Sequence, residues 1–76
     1  MKQDKTIRDV AIDSEPIELC KLLKLESLVG SGGEAKFVIS DERVRVNGSV
    51  ETRKRMKIRY GDLVEFAGDT MRIVKP

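Results

Sequence analysis

Basic side chains are concentrated in one short segment of this chain. Five of the seven residues from Arg53 to Arg59 are basic and none is acidic; the five are Arg53, Lys54, Arg55, Lys57 and Arg59. The formal net charge of the whole chain is +2, so the remainder carries +2 minus 5, or −3. A concentrated basic patch on a mildly acidic small protein is typical of proteins that bind a phosphate backbone. The other interpretation of such a segment is a solvated charged face.

The segment Ser31-Gly32-Gly33 could bind an anion, because an amphipathic helical pattern begins directly after it. A helix N-terminus has free N–H groups and the positive end of the helix dipole, and both favour a phosphate. Glycines at this place let the phosphate approach the backbone without an intervening Cβ. In the alternative interpretation, the two glycines only ease a tight turn between two helices.

Lys36 and Phe37 follow on the same predicted helix and extend this chemistry. On a helical wheel Phe37 lies opposite the apolar stripe of the helix, so it could stack on an unpaired base. The alternative is that Phe37 packs against another part of a core that has few aromatic residues. Arg43 and Arg45, which alternate with two valines just after the helix, complete the basic set.

Catalytic chemistry is not predicted for this chain. It has no histidine, which excludes histidine general bases, Ser-His-Asp triads and Cys/His zinc sites. Cys20, the one cysteine, lies among leucines on a predicted helix, and we expect it to be a small buried side chain. Asp41-Glu42 is interpreted as turn chemistry and not as a catalytic carboxylate pair. We therefore expect a non-enzymatic protein with no cofactor, no metal and no small-molecule substrate.

Two short helices are expected to position the first half of this set. Leucine spacing predicts a helix over Glu18–Leu25, and a weak edge strand over residues 6–12 precedes it. Ser31 and Glu34 have the spacing of a capping box, which predicts the start of a second helix that runs to about Ser40. The short glycine-rich link between the helices predicts that they pack as a pair.

A β-hairpin is predicted directly after the second helix, where the apolar period changes from helical to two. Asn47-Gly48 marks its turn. A two-residue loop would place Val50 opposite Arg45, on the polar face of the hairpin. We therefore expect a three-residue loop with a bulge that returns Val50 to the apolar side.

The basic segment is also predicted to be extended, because its basic and apolar residues alternate between Arg55 and Tyr60. Arg55, Lys57 and Arg59 are therefore expected on one exposed face. Later strands over residues 63–67 and 71–74 close a small twisted sheet. The predicted class is α+β, two short packed helices followed by a small, mainly antiparallel sheet. The expected core is Leu19, Leu22, Leu23, Ala35, Val38, Ile39, Val44, Val46, Ile58, Leu63 and Phe66.

We expect one domain over residues 1–76. This length is near the lower limit for a self-sufficient core, and 39% of the residues are hydrophobic. No apolar run approaches the roughly 18 residues of a membrane span, and the first residues lack a signal-peptide core. We therefore expect a cytoplasmic protein that does not bind membranes, and we expect a monomer.

The order of these motifs resembles the S-four-type RNA-binding domain, also called the alpha-L motif. The resemblance covers about residues 17–68 and implies RNA contacts from the start of the second helix and from the hairpin region. It implies such roles for Ser31, Lys36, Arg43 and the basic segment. Where many family members have Ser-Arg-Ser, this chain has Ser31-Gly32-Gly33, which shifts the contacts toward backbone donors and residues 53–59. The resemblance is carried by a short leucine-rich helix, Gly30-Ser31-Gly32-Gly33-Glu34-Ala35-Lys36, Arg43-Val44-Arg45-Val46-Asn47-Gly48, a basic segment and Gly61-Asp62.

The sequence therefore predicts a non-catalytic RNA-binding module whose target is structured RNA such as ribosomal RNA. The alternative is a protein-interaction adapter whose basic face binds an acidic partner. Both functions use the same charges, and salt-dependent binding to structured RNA but not to acidic proteins separates them. The candidate RNA-binding residues are Ser31, Gly32, Gly33, Lys36, Phe37, Arg43, Arg45, Arg53, Lys54, Arg55, Lys57 and Arg59.

Overall fold

The computed structural model describes residues 7–76 and has an α+β fold, which confirms the predicted class. Both helices agree with the sequence prediction to within one residue at each end. Within residues 7–76, neither helix has the length and apolar character needed to cross a membrane. In chain order the elements are β1 (Ile7–Ala11), β2 (Ile17–Glu18), α1 (Leu19–Leu25), α2 (Gly32–Ser40), β3 (Val44–Val46), β4 (Ser49–Val50), β5 (Lys57–Ile58), β6 (Leu63–Phe66) and β7 (Asp69–Val74).

Five of the strands form one sheet in the order β1-β7-β6-β3-β4. β1 runs parallel to β7, and the other three pairs are antiparallel. The predicted edge strand over residues 6–12 is confirmed for Ile7–Ala11, and Thr6 lies outside the described residues. β2 and β5 form a separate antiparallel pair. This second pair joins the start of α1 to the basic segment.

One core connects the two helices to the inner face of the sheet. Val46, Val64 and Met71 are direct neighbours across β3, β6 and β7, and all three are buried. α1 contributes three leucines to this core, and α2 contributes a stripe of small and branched side chains: Leu19, Leu22, Leu23, Ala35, Val38 and Ile39. The helical spacing predicted from the sequence is therefore confirmed for both helices.

Two details of the predicted core are wrong. Leu63 and Phe66 were both expected inside, but residues three apart in a strand point to opposite faces. Val64 is the fully buried residue of β6, Phe66 is half-buried on the same side, and Leu63 is half-buried on the other. Cys20, expected to be buried, is half-buried at the core edge, because it lies about 100° around the helix from Leu19.

The β3–β4 hairpin has a two-residue loop, so the prediction of a three-residue loop with a bulge is wrong. Asn47 has φ of +52° and Gly48 has φ of +86°, and a type I′ turn requires positive φ at both positions. Val50 therefore pairs with Arg45 and is 45% exposed on the outer face. Because β4 is a two-residue strand at the sheet edge, the favoured turn outweighs the burial of one valine.

The basic segment is a loop for most of its length. Lys54 and Arg55 form a turn, and only Lys57–Ile58 is a strand. The start of α1 holds this loop in place, since the Leu19 N–H donates to the Met56 carbonyl at 2.9 Å and the Cys20 N–H donates to the Lys54 carbonyl at 3.0 Å. α1 therefore orders the segment through backbone hydrogen bonds that side-chain alternation does not predict.

Replacement of Leu22 by alanine should destabilise the fold strongly. Leu22 is 0% exposed in the centre of α1. Leu22→Ala should lower the free energy of unfolding by about 2–5 kcal/mol, which is a large share of the roughly 5–15 kcal/mol of a typical domain. Urea denaturation followed by circular dichroism measures this loss. Leu25→Ala is the matched control, because Leu25 lies on the same helix and is 61% exposed. Equal losses in the two variants would contradict the observed rotation of α1.

Candidate nucleic-acid interface

The side chains of Ser31 and Glu34 both accept backbone hydrogen bonds at the start of α2. The Glu34 N–H donates to Ser31 Oγ at 3.1 Å, as the capping-box spacing predicts. The return bond differs from the prediction, because Glu34 Oε1 accepts from the Gly30 N–H at 2.7 Å and not from Ser31. The Glu34 carboxylate thus caps the preceding link, and Ser31 Oγ caps one N–H of the first turn.

Gly32 and Gly33 are not required by the geometry of the turn. Neither has a positive φ. A Cβ added at Gly32 would come no closer than 3.9 Å to Lys24 Cδ, and one at Gly33 no closer than 3.9 Å to Ser31 Oγ. Both places would accept an alanine at ordinary contact distance. The effect of the two glycines is instead that a ligand can approach the backbone N–H groups at the helix N-terminus without meeting a Cβ.

α2 has an exposed stripe on the side away from the core. Gly33, Lys36, Phe37 and Ser40 are spaced as i, i+3, i+4 and i+7, and all four are exposed. The burial of the opposite stripe fixes this orientation. Gly33 and the predicted cation and aromatic ring, Lys36 and Phe37, thus share one helix face.

A basic cleft lies between this face of α2 and the loop of residues 52–55. Its volume is about 500 Å³. Among residues 7–76, no carboxylate lines it, whereas two hydroxyl residues and four cationic residues do. The side chains that line it belong to Lys36, Ser40, Thr52, Arg53, Lys54 and Arg55. The structure thus brings Lys36 of α2 together with three consecutive predicted site residues, Arg53, Lys54 and Arg55.

Arg53 differs from its neighbours because it is already paired with an acid. Its Nε donates to Glu51 Oε2 at 2.8 Å, and its Nη2 donates to Glu51 Oε1 at 3.1 Å. The Arg53 backbone N–H donates to the same carboxylate at 2.9 Å. These hydrogen bonds lower the pKa of Glu51 to about 2, the side-chain bonds from Arg53 being the largest cause. Arg53 remains 74% exposed, so the pair orients its guanidinium and partly neutralises its charge.

Phe37 and Arg43 are in contact at the end of α2. The Arg43 guanidinium carbon lies 5.6 Å from the centroid of the Phe37 ring, within the range of a cation–π interaction. Arg43 Nε donates to Asp41 Oδ2 at 2.7 Å, which holds the guanidinium in place. Glu42 has φ of +62° and turns the chain, and the Arg43 N–H returns to the Val38 carbonyl at 3.1 Å in a Schellman motif.

The remaining predicted residues lie away from the basic cleft. Arg45 and Arg43 line a second cleft of about 400 Å³ together with residues 65–68 and 70. Lys57 lines a different groove, beside α1. Arg59 is exposed on the loop before β6, where its backbone N–H donates to Asp62 Oδ2 at 2.8 Å. Arg55, Lys57 and Arg59 are all exposed, and burial alternates from Met56 to Tyr60 as the sequence pattern predicts. Arg55 and Lys57 nevertheless line different clefts.

Four residues of this region were not predicted from the sequence. Ser40 and Thr52 supply the hydroxyls of the basic cleft, and Asp41 and Glu51 hold the two arginines. The position of Ser40, four residues after Lys36 on a helix, is a signal that could have identified it. The two acids each lie two residues before an arginine, a spacing that has no fixed meaning outside regular structure.

The Glu51–Arg53 pair should make stability depend on pH in the acid range. The pKa of Glu51 is about 2 in the folded chain and near 4.5 without the pair, so its contribution is complete above pH 4.5 and is lost as pH falls through 2. Wild type should therefore exceed Glu51→Gln in unfolding free energy at pH 7, and the difference should shrink toward zero by pH 2. Thermal or urea unfolding at pH 7, 4, 3 and 2 measures it. A pH-independent difference would show that the charge of Glu51 is not involved. Glu42→Gln, which removes the carboxylate of an exposed residue, is the control.

Two proteins of similar sequence have names that refer to RNA binding and to ribosome maturation. The protein called "Putative RNA-binding protein YbcJ" of Escherichia coli is 52% identical over 58 residues, which cover 76% of this chain and 83% of that protein. The "Probable ribosome maturation protein RlbA" of Bacillus subtilis is 41% identical over 59 residues, which cover 78% of this chain and 83% of that protein.

The fold is also similar to a solved structure. The solution structure of YbcJ from E. coli has a TM-score of 0.61 and 40% identity, and the match covers 97% of this chain and 92% of that chain. That structure is described as an alpha-L motif involved in RNA binding. Residues 10–74 match the family model of the S4 domain. By sequence and by fold, this chain belongs to the S4 domain family.

Proposed function

We propose that this chain is a non-catalytic module that binds structured RNA, with ribosomal RNA as the leading candidate. The basic cleft is the observation that carries this proposal, because it assembles cations from α2 and from residues 53–55 around a space that no carboxylate of the described residues lines. A site of this composition suits the phosphates of a nucleic-acid backbone.

The start of α2 adds donors of a second kind. Gly32 and Gly33 have no side chain that would keep a phosphate away from their own N–H groups, on the helix that also carries Lys36. A backbone phosphate at this end of α2 and another in the basic cleft would place one RNA strand along the exposed face of the helix. This arrangement compensates for the absence of an arginine at the helix start.

The relatives support an RNA target and a link to the ribosome. One similar protein is named as RNA-binding and another as a ribosome maturation protein, and the similar solved structure is described as involved in RNA binding. Structured RNA fits the geometry, because side chains on a convex helix face and a nearby loop contact backbone and unpaired nucleotides more readily than base edges inside a duplex.

Removal of two charges from the basic cleft should weaken RNA binding and flatten its salt dependence. Each neutralised phosphate contributes about 0.7–0.9 log units per tenfold change in salt. Lys54→Gln with Arg55→Gln should therefore lower the slope by roughly 1.4–1.8. Fluorescence anisotropy with a labelled ribosomal RNA hairpin, measured from 50 to 300 mM KCl, gives the slope.

The matched control removes the same charge from another face. Arg72→Gln with Lys75→Gln changes β7 and the residue after it, and neither residue lines the basic cleft or the second cleft. This variant should keep the wild-type slope to within a few tenths. Equal slopes for both double variants would contradict the basic cleft as the RNA site. Equal binding to a polyglutamate competitor would favour the adapter function instead.

A further inference from the structure

We propose that Phe37 and Arg43 form a stacking site for one unpaired nucleobase of the bound RNA. This inference rests on the RNA-binding function proposed above. The inference adds a second requirement for the RNA, which must contain an unpaired base in addition to its phosphates. The site lies at the C-terminal end of α2, next to the basic cleft.

The exposure of Phe37 is the first observation. The chain has only three aromatic residues, and the other two, Tyr60 and Phe66, are half-buried against the core. Phe37 is 57% exposed, although a phenylalanine ring is an apolar surface that water solvates unfavourably. The inner stripe of α2 is complete without it, so core packing does not account for a ring at this position.

The contact with Arg43 is the second observation. The guanidinium covers part of the ring, at 5.6 Å from the centroid, and Asp41 holds the guanidinium through a 2.7 Å hydrogen bond. More than half of Phe37 remains open beyond this contact. Aromatic rings and guanidinium planes are both surfaces on which proteins stack unpaired bases. Asp41 is then a positioning residue, since it acts through Arg43.

The location between the basic cleft and Arg43 is the third observation. Ser40, which lies one turn after Phe37, lines the basic cleft, and its Oγ donates to the Phe37 carbonyl at 3.1 Å. Arg43 lines the second cleft together with Arg45. Glu65 lines the second cleft as well, so we assign phosphates only to the basic cleft and to the Arg43 guanidinium. A strand with phosphates at both places would run beside Phe37, because Arg43 lies over its ring. One nucleotide can therefore place its phosphate in a cleft and its base on the ring.

Stacking at this site selects RNA that has an unpaired base, whichever of the four bases it is. Every base has a π face, so an aromatic platform tolerates sequence variation. Bases inside a duplex are covered on both faces by their neighbours, so they cannot reach Phe37 without leaving the helix. We therefore expect the protein to prefer RNA with a bulged or looped-out nucleotide over the same RNA without that base.

Three RNA hairpins of the same stem test this preference. One has a single unpaired adenosine in the stem, one has an abasic ribonucleotide at that position, and one is fully paired. The abasic hairpin keeps the phosphate and the bulge and removes only the base. Dissociation constants are measured for wild type, Phe37→Leu and Phe37→Tyr at one salt concentration, with the melting temperature of each variant recorded. Leucine keeps an apolar side chain without a π face, and tyrosine restores the π face.

Wild type should bind the adenosine hairpin roughly 5- to 150-fold more tightly than the abasic hairpin. Phe37→Leu should bring this ratio close to one, and Phe37→Tyr should keep it. The Phe37 ring protons should also shift upfield in the nuclear magnetic resonance spectrum with the adenosine hairpin only. Leu25→Ala, which shortens an apolar side chain that is 61% exposed on α1, is the control and should keep the wild-type ratio.

Two results would overturn the stacking site while the proposed RNA binding stands. One is a wild-type ratio of one with salt-dependent binding to all three hairpins, and the other is a full ratio retained by Phe37→Leu. A lower melting temperature in Phe37→Leu with an unchanged ratio would assign the Phe37–Arg43 contact to stability. Absence of salt-dependent binding to any hairpin would contradict the RNA-binding function itself, and the stacking site with it.

Discussion

The rotation of α2 about its own axis is the constraint on which the candidate site depends. Ala35 and Ile39 are fully buried and Val38 is 4% exposed, so the helix has one orientation relative to the sheet. A rotation of one residue, about 100°, would move these side chains out of the core and bring charge into it. Because the inner stripe is fixed, Lys36 and Phe37 must face solvent. The binding chemistry of α2 is therefore maintained by the same packing free energy that maintains the fold.

The second constraint is the attachment of the basic loop to α1. Residues 52–56 have little regular structure, and a loop of this charge would otherwise be expected to move freely. Hydrogen bonds from Leu19 and Cys20 tie its backbone to the first turn of α1, which packs against α2. The two walls of the basic cleft are consequently held by one helix pair. A site that is held in place before binding loses less conformational entropy when RNA binds.

Carboxylates moderate the charge of this surface without removing it. Glu51 and Asp41 each hold one arginine, so two of the predicted cations are oriented and partly neutralised. In the part of the chain that the structure describes, no carboxylate lines the basic cleft itself. An exposed ion pair contributes only about 0–1 kcal/mol to stability. The physical effect of these two pairs is better described as control of guanidinium direction. Direction matters because stacking and bidentate phosphate contacts both depend on the plane of the group.

The sequence by itself determined the two helices, the apolar stripe of each, the capping serine and the position of Phe37 opposite the stripe of α2, because these follow from a spacing of 3.6 residues within short segments. The exposure of the Phe37 ring was decided by the tertiary structure. The sequence did not determine the hairpin register, the face occupied by Leu63 or the separation of Lys57 from Arg55. The geometry of the two-residue turn decided the hairpin register, and the pairing of β6 within the sheet decided the face of Leu63. The turn at residues 54–55 decided the separation of Lys57 from Arg55. The basic cleft itself arises only in the tertiary structure. Lys36 and Arg55 meet there because α1 and α2 pack as a pair, and no local pattern in the sequence records the distance between two segments that the core brings together.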